Sequence, residues 1–228
     1  MIAGTSLVER VYQRAIRSKQ ARAVYVATDD DRIYDHVRSF GGRVVRTPAD
    51  AASGTDRIAM AVGEIEGREG LEFERIVNIQ GDEPLVDMHS VDRMITTLRD
   101  EPVDIVTLAC AITSEEDFQS PDVVKVVVDK WGQALYFSRS PIPHGGGAKA
   151  RRHVGLYGFQ AEALRGFAAL PPTVLESAER LEQLRALENG YRIRVLETSA
   201  PHLGVDRPED VARVERELAR LRSKSSEE

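Results

Sequence analysis

Residues 75–85 read RIVNIQGDEPL. The apolar run Ile76-Val77-Asn78-Ile79 predicts a buried strand, and Gln80-Gly81-Asp82-Glu83-Pro84 stops it. Glycine and proline are what a tight turn demands; two carboxylates beside them are not. Outward from this stretch, similar short runs recur at residues 23–27, 43–45 and 104–108. Between the runs, segments 6–17, 31–40, 55–66 and 89–99 carry apolar residues at helical spacing. The alternation predicts an α/β fold, a mixed and mainly parallel sheet with helices on both faces. After residue 123 the pattern changes. Strand candidates at 123–129, 134–138 and 153–159 follow closely, then a helix near 177–188, a strand at 192–196 and a last helix at 208–222. An antiparallel excursion added to a doubly wound first half accounts for this order.

A chain of 228 residues suits one domain with a sizeable core. The net charge of −6 is spread over interspersed acids and bases, which excludes the basic footprint of a nucleic-acid binder. No stretch reaches the ~18 apolar residues of a membrane-spanning helix, and the N-terminus lacks the order of a signal peptide. The single cysteine, Cys110, lies in an apolar run and reads as a small buried hydrophobe. A cytoplasmic location is the expectation. Residues 149–152, after Gly145-Gly146-Gly147, read as an exposed mobile loop, and residues 223–228 as a frayed tail.

Ligands of open α/β sheets bind beyond the carboxyl ends of the strands. Three polar clusters fall at such ends: Ala27-Thr28-Asp29-Asp30, Gln80-Gly81-Asp82-Glu83 and Gly204-Val205-Asp206-Arg207-Pro208-Glu209-Asp210. Asp82 and Asp206 are candidates to share a hard cation; magnesium takes one or two carboxylates and fills its remaining positions with water and phosphate. The plain alternatives are a turn aspartate at 82 and a helix cap at 206. Ser53-Gly54-Thr55-Asp56-Arg57 opens a helical pattern, where Gly54 lets backbone approach a ligand and hydroxyls and N–H groups face it. From these residues by themselves an ordinary Ser/Thr cap is the better reading.

These clusters, together with Ala134-Leu135-Tyr136-Phe137-Ser138-Arg139-Ser140-Pro141-Ile142-Pro143, His153-Val154-Gly155-Leu156-Tyr157-Gly158-Phe159 and Leu181-Glu182-Gln183-Leu184-Arg185, stand in one order along nearly the whole chain. In that order the sequence resembles the 3-deoxy-manno-octulosonate cytidylyltransferases, or CMP-Kdo synthetases, which couple CTP to the sugar acid Kdo for lipopolysaccharide. The resemblance implies a nucleotide-diphospho-sugar-transferase fold and magnesium held by Asp82 and Asp206. It places Gln80 beside nucleotide and sugar, and Ser53, Gly54, Thr55 and Arg57 on the cytidine side. Arg139, His153, Tyr157, Glu179 and Gln183 are then expected to face the sugar acid. Glu179 and Gln183, four apart, would share one face of a helix, with Arg139 or His153 meeting the carboxylate. Structural roles for Tyr136, Phe137, Tyr157, Arg139, Glu179 and Gln183 are the alternative. The family also implies a homodimer with contacts in residues 134–190.

Members of the family begin with a strand and a basic loop for the triphosphate, and this chain aligns from the end of that region at Met1-Ile2-Ala3-Gly4-Thr5-Ser6. The expectation is that the full gene starts upstream and that, without the strand, its neighbours pair otherwise. A non-catalytic homologue that binds nucleotide or sugar, and a transferase for another 2-keto sugar acid, are the competing functions.

Overall fold

The computed structural model describes residues 1–51, 53–146, 150–200, 204–205 and 207–224, with 208 and 221–224 described by backbone alone. Its contacts divide into two compact units. One comprises Met1–Leu71, Ile79–Asp92 and Ala200–Glu228, the other Glu72–Asn78 and Arg93–Ser199. The segments interleave, so no single cut in the sequence separates the units.

In the first unit, β1 (Val26–Thr28) and β2 (Val44–Arg46) form a parallel pair, with Val26 opposite Val44. Around them in sequence lie α1 (Leu7–Ala15), α2 (Asp31–Ser39), α3 (Gly54–Glu69) and α9 (Pro208–Lys224). Ser6, Asp30 and Ser53 cap the first three by accepting backbone N–H groups of the opening turn. Each such cap contributes about 1 kcal/mol. α3 stops at Gly70, whose φ of 64° belongs to the left-handed region and whose N–H closes on the Glu66 carbonyl. The QGDEP turn is closed by Glu83 N–H on the Gln80 carbonyl. It delivers Leu85 into a core cluster with Ile2, Val214 and Leu218.

The second unit holds β3 (Arg75–Asn78), β4 (Ile105–Ala111), β5 (Lys125–Val128), β6 (Ala134–Ser138), β7 (Arg151–Gln160) and β8 (Ile193–Glu197). The sheet order is β6-β5-β7-β4-β8, with β3 also on β7. Its helices are α5 (Glu115–Gln119), α6 (Ala161–Ala168), α7 (Val174–Glu179) and α8 (Gln183–Glu188), and α4 (Met88–Asp100) begins in the first unit and ends in this one. At Gly158 on β7 the backbone approaches α4 so closely that a Cβ would lie 2.9 Å from Leu98.

Four expectations need correction. The sheet is mixed but not mainly parallel: among the described residues β1–β2 and β4–β8 are parallel, whereas β3–β7, β4–β7, β5–β6 and β5–β7 are antiparallel. The βαβ pattern does give β3, β4 and β8 one direction, but the ten-residue β7 runs oppositely between β3 and β4 and takes their hydrogen bonds. β1 and β3 each have one strand partner among the described residues. The helix expected at 177–188 is two helices, α7 and α8, divided at Arg180, whose φ of 55° is left-handed. The 149–152 loop gives way to buried Ala150 and to Arg151 and Arg152 in β7; 147–149 lie outside the described residues, as do 225–228 of the tail. Cys110 is half-buried on β4, and burial raises its thiol pKa.

Candidate functional site

The nucleotide-side candidates fall in the first unit, beyond the carboxyl ends of β1 and β2. Arg57, one turn into α3, joins both ends: its Nη1 lies 2.7 Å from Thr47 Oγ1, 3.2 Å from the Pro48 carbonyl and 3.2 Å from Asp29 Oδ1. Thr47 N–H in turn donates to the Thr28 carbonyl. Ser53 is the cap of α3: its Oγ accepts from Asp56 N–H at 3.1 Å and donates to the Asp56 carboxylate at 2.8 Å. Gly54 is exposed, with open space where a Cβ would stand, and Thr55 is buried at 1% exposure. The first turn of a sixteen-residue helix therefore stands with its backbone accessible at Gly54 and a fixed guanidinium one turn further on.

Gln80 is exposed and Asp82 half-buried on their turn. Val205 N–H donates to the Asp82 carbonyl at 2.9 Å, which ties segment 204–205 to this turn. Asp206 lies outside the described residues. α9 begins at Pro208, so the position before its first residue is held by Arg207, whose N–H donates to Asp210. No group of three or more His, Cys, Asp or Glu gathers for a metal among the described residues.

The sugar-side candidates fall in the second unit. A small crevice, with room for about one water molecule, is lined by Ile105, Tyr157, Phe159, Phe167, Glu182, Gln183 and Ala186. Ligand pockets enclose about 300–1,000 Å³, so this crevice marks a lining and does not itself enclose a sugar acid. Tyr157 is buried and its phenol pKa is pushed well up, by burial first and then by the Glu182 charge, so it stays a neutral phenol. Gln183 is 5% exposed. Glu182 was not singled out from the sequence. The family resemblance pointed to Glu179 with Gln183, whereas Glu182 and Gln183 are the residues of this region that line the crevice.

Glu179 turns elsewhere, and the shared helical face expected with Gln183 does not exist. Its carboxylate accepts from Ser138 Oγ at 2.6 Å and Arg139 N–H at 2.9 Å, with Tyr136 Oη at 3.4 Å. These bonds hold its pKa below the usual value against the opposing effect of burial, which is the largest single influence. Arg139 is fixed too: Nε donates to the Glu179 carbonyl and Nη1 to the Pro121 carbonyl, each at 3.0 Å. Its Nη2 makes no hydrogen bond among the described residues. Beneath this network lies Lys125, with 0% exposure, its ammonium donating to the carbonyls of Ser120, Val123 and Arg139. A buried cation needs that many acceptors.

His153 is not placed to meet a carboxylate by charge. It is buried between Phe137 and Tyr157, with ring centroids 4.9 and 5.4 Å away. Its Nε2 lies 2.9 Å from Thr107 Oγ1, itself 2.8 Å from the Leu156 carbonyl. The hydroxyl has one proton and gives it to the carbonyl, so Nε2–H donates to Thr107. Burial lowers the imidazole pKa to about 3, and the ring is neutral at physiological pH.

An α/β scaffold with an open helix start at its parallel strand ends has the plan of a nucleotidyltransferase, and the Cytidylyltransferase family profile matches residues 1–193. A Geobacter sulfurreducens protein named 3-deoxy-manno-octulosonate cytidylyltransferase is 48% identical, the match covering 93% of this chain and 89% of that one. A Solibacter usitatus protein of the same name is 48% identical, covering 94% and 85%. The solved structure titled CMP:2-keto-3-deoxy-manno-octonic acid synthetase complexed with CTP superposes with a TM-score of 0.88 and 37% identity, covering 96% of this chain and 90% of that one. A 4-diphosphocytidyl-2C-methyl-D-erythritol synthase, 16% identical at a TM-score of 0.67, shares the fold. The chain belongs to the cytidylyltransferase family, in the branch of the 3-deoxy-manno-octulosonate cytidylyltransferases.

Proposed function

We propose that this protein transfers CMP from CTP to Kdo, releasing pyrophosphate. The observation that carries the reading is the arginine-braced helix start, its backbone accessible at Gly54, in a chain of this family. The anomeric hydroxyl of the sugar acid attacks the α-phosphorus, a new P–O bond forms, the bond to the β-phosphate oxygen breaks, and the proton leaves with pyrophosphate. No covalent enzyme intermediate is needed, so positioning and charge stabilisation carry the rate.

Each group has work that its placement suits. Arg57, held by Thr47, Pro48 and Asp29, presents a rigid guanidinium beside Gly54, where a cytidine edge can meet backbone and side-chain groups. Ser53 supports this helix start as its cap; Thr55, fully buried, supports it by packing. Gln80, exposed on its turn, suits a ligand hydroxyl. Tyr157, Glu182 and Gln183 hydrogen-bond sugar hydroxyls over an apolar floor. Arg139, with two nitrogens braced and Nη2 outside those bonds, is oriented for a carboxylate. Asp82, with Asp206, would hold magnesium, which supplies charge neutralisation on the phosphates when bound.

We further infer cytoplasmic action, a product destined for lipopolysaccharide, and a pair of identical subunits. No helix among the described residues is long and apolar enough to cross a membrane. Leu135 on β6 and Trp131 beside it are 61% and 65% exposed, an apolar surface suited to a second copy. Light scattering of Leu135→Asp against the parent chain tests the pairing. The function is tested by pyrophosphate release with CTP, magnesium and fresh Kdo, against controls lacking Kdo or offering a sialic acid instead. Release that requires Kdo supports the reading; release with the sialic acid alone moves the substrate; no release with either leaves a binding protein.

A further inference from the structure

We propose that Glu179 is a positioning residue that fixes the sugar-acid half-site through β6, without touching the sugar; the proposal rests on the function inferred above. Glu179 ends α7, and the next residue, Arg180, has φ 55° and ψ 48°. A side chain in the left-handed region is strained, and such a conformation persists where its surroundings over-determine it. Here it is gripped on both sides. On one, Glu176 and Arg185 form a bidentate pair at 2.6 and 2.9 Å, with side chains 13% and 8% exposed. On the other, Glu179 anchors to Ser138 and to the backbone of Arg139.

The consequence reaches two places at once. The left-handed residue reverses the chain so that Glu182 and Gln183 line the crevice, and Leu184 N–H closes the elbow on the Leu181 carbonyl. The Glu179 carbonyl, in the same anchored peptide, accepts Arg139 Nε and so sets the plane of that guanidinium. One carboxylate thereby ties the crevice's polar edge to the arginine suited to the sugar's carboxylate. Loss of its charge loosens both.

The test is steady-state kinetics on Glu179→Gln, Ser138→Ala and the double variant, with thermal melting of each. Ser138→Ala removes the hydroxyl that donates to Glu179 and that also accepts the Ser140 N–H. The expected result is a KM for Kdo raised about tenfold in Glu179→Gln and severalfold in Ser138→Ala, with the KM for CTP changed less than twofold. In the double variant the KM for Kdo should match that of Glu179→Gln, because both changes cut one connection. Effects of the two changes that multiply would overturn the proposal in favour of direct sugar contact by Glu179. Equal losses toward both substrates, tracking a lower melting temperature, would reduce the residue to a fold support. Should Glu179→Gln fail to fold, Ser138→Ala alone must shift the KM for Kdo, and an unchanged value refutes the idea. A parent chain that binds CTP but never turns over Kdo defeats the underlying function, an outcome read before any variant is compared.

Discussion

On the proposed function, the two units would recognise their ligands differently. The first uses exposed backbone at a helix start and one arginine braced by carbonyl, hydroxyl and carboxylate, all beyond the ends of two parallel strands. The second uses side chains brought together by a break between two short helices and by a six-stranded mixed sheet. Backbone groups and a shared guanidinium suit a planar base edge; a Tyr, Glu and Gln over aromatic rings suit the hydroxyls and apolar face of a sugar. The contrast teaches that one half-site rests on a local motif and the other on long-range packing.

The largest effect tests the carboxylate proposed to hold magnesium. Asp82→Asn is expected to lower kcat by about 10²–10³-fold, as removal of one electrostatic stabiliser does, with the melting temperature nearly unchanged because Asp82 is only half-buried. A retained kcat would remove Asp82 from the chemistry. Next comes a crossed pair. Arg57→Ala should raise the KM for CTP about tenfold, the loss of one charged hydrogen-bonding group, and spare the KM for Kdo. Gln183→Ala should do the reverse. If both variants weaken the same substrate, the division of labour between the units fails.

The smallest effect concerns His153 and acid stability. Its folded pKa, lowered to about 3 by burial, lies below the ordinary 6.5. Above pH 6.5 both folded and unfolded chains carry the neutral ring, and this group adds no pH dependence. Between 6.5 and 3 the unfolded chain binds a proton that the folded chain refuses, so stability falls by roughly 1.4 kcal/mol per pH unit. Melting curves from pH 7.5 to 5 should fall less steeply in His153→Gln, which keeps a hydrogen bond to Thr107. Parallel curves would show that the ring is protonated in place.

Legibility in the sequence followed the same division. β1, β2, β3 and their helices repeat a local period, and Ser53 as a cap with Gly54 beside it is readable from four residues. The placement of β7 was not legible, because direction follows from alternation but adjacency follows from pairing across the chain. Short helices α5 and α6 carry too little periodicity to stand out between strands. The α7–α8 break was hidden because Arg180 is no glycine; its left-handed backbone comes from Glu176, Glu179 and Arg185, none of which marks a turn. The expectation for Glu179 came from the family resemblance, and the helical spacing to Gln183 that agreed with it is undone by this break. His153 read as a sugar ligand because burial between two aromatic rings leaves no trace in its immediate neighbours.

Amide hydrogen exchange, with magnesium and CTP alone or Kdo alone, tests the division between the units most directly. The account predicts that CTP slows exchange in peptides spanning 53–57 and 80–82, while Kdo slows those spanning 155–159 and 181–186. Protection of one common set by both ligands, or the two patterns exchanged, would contradict it.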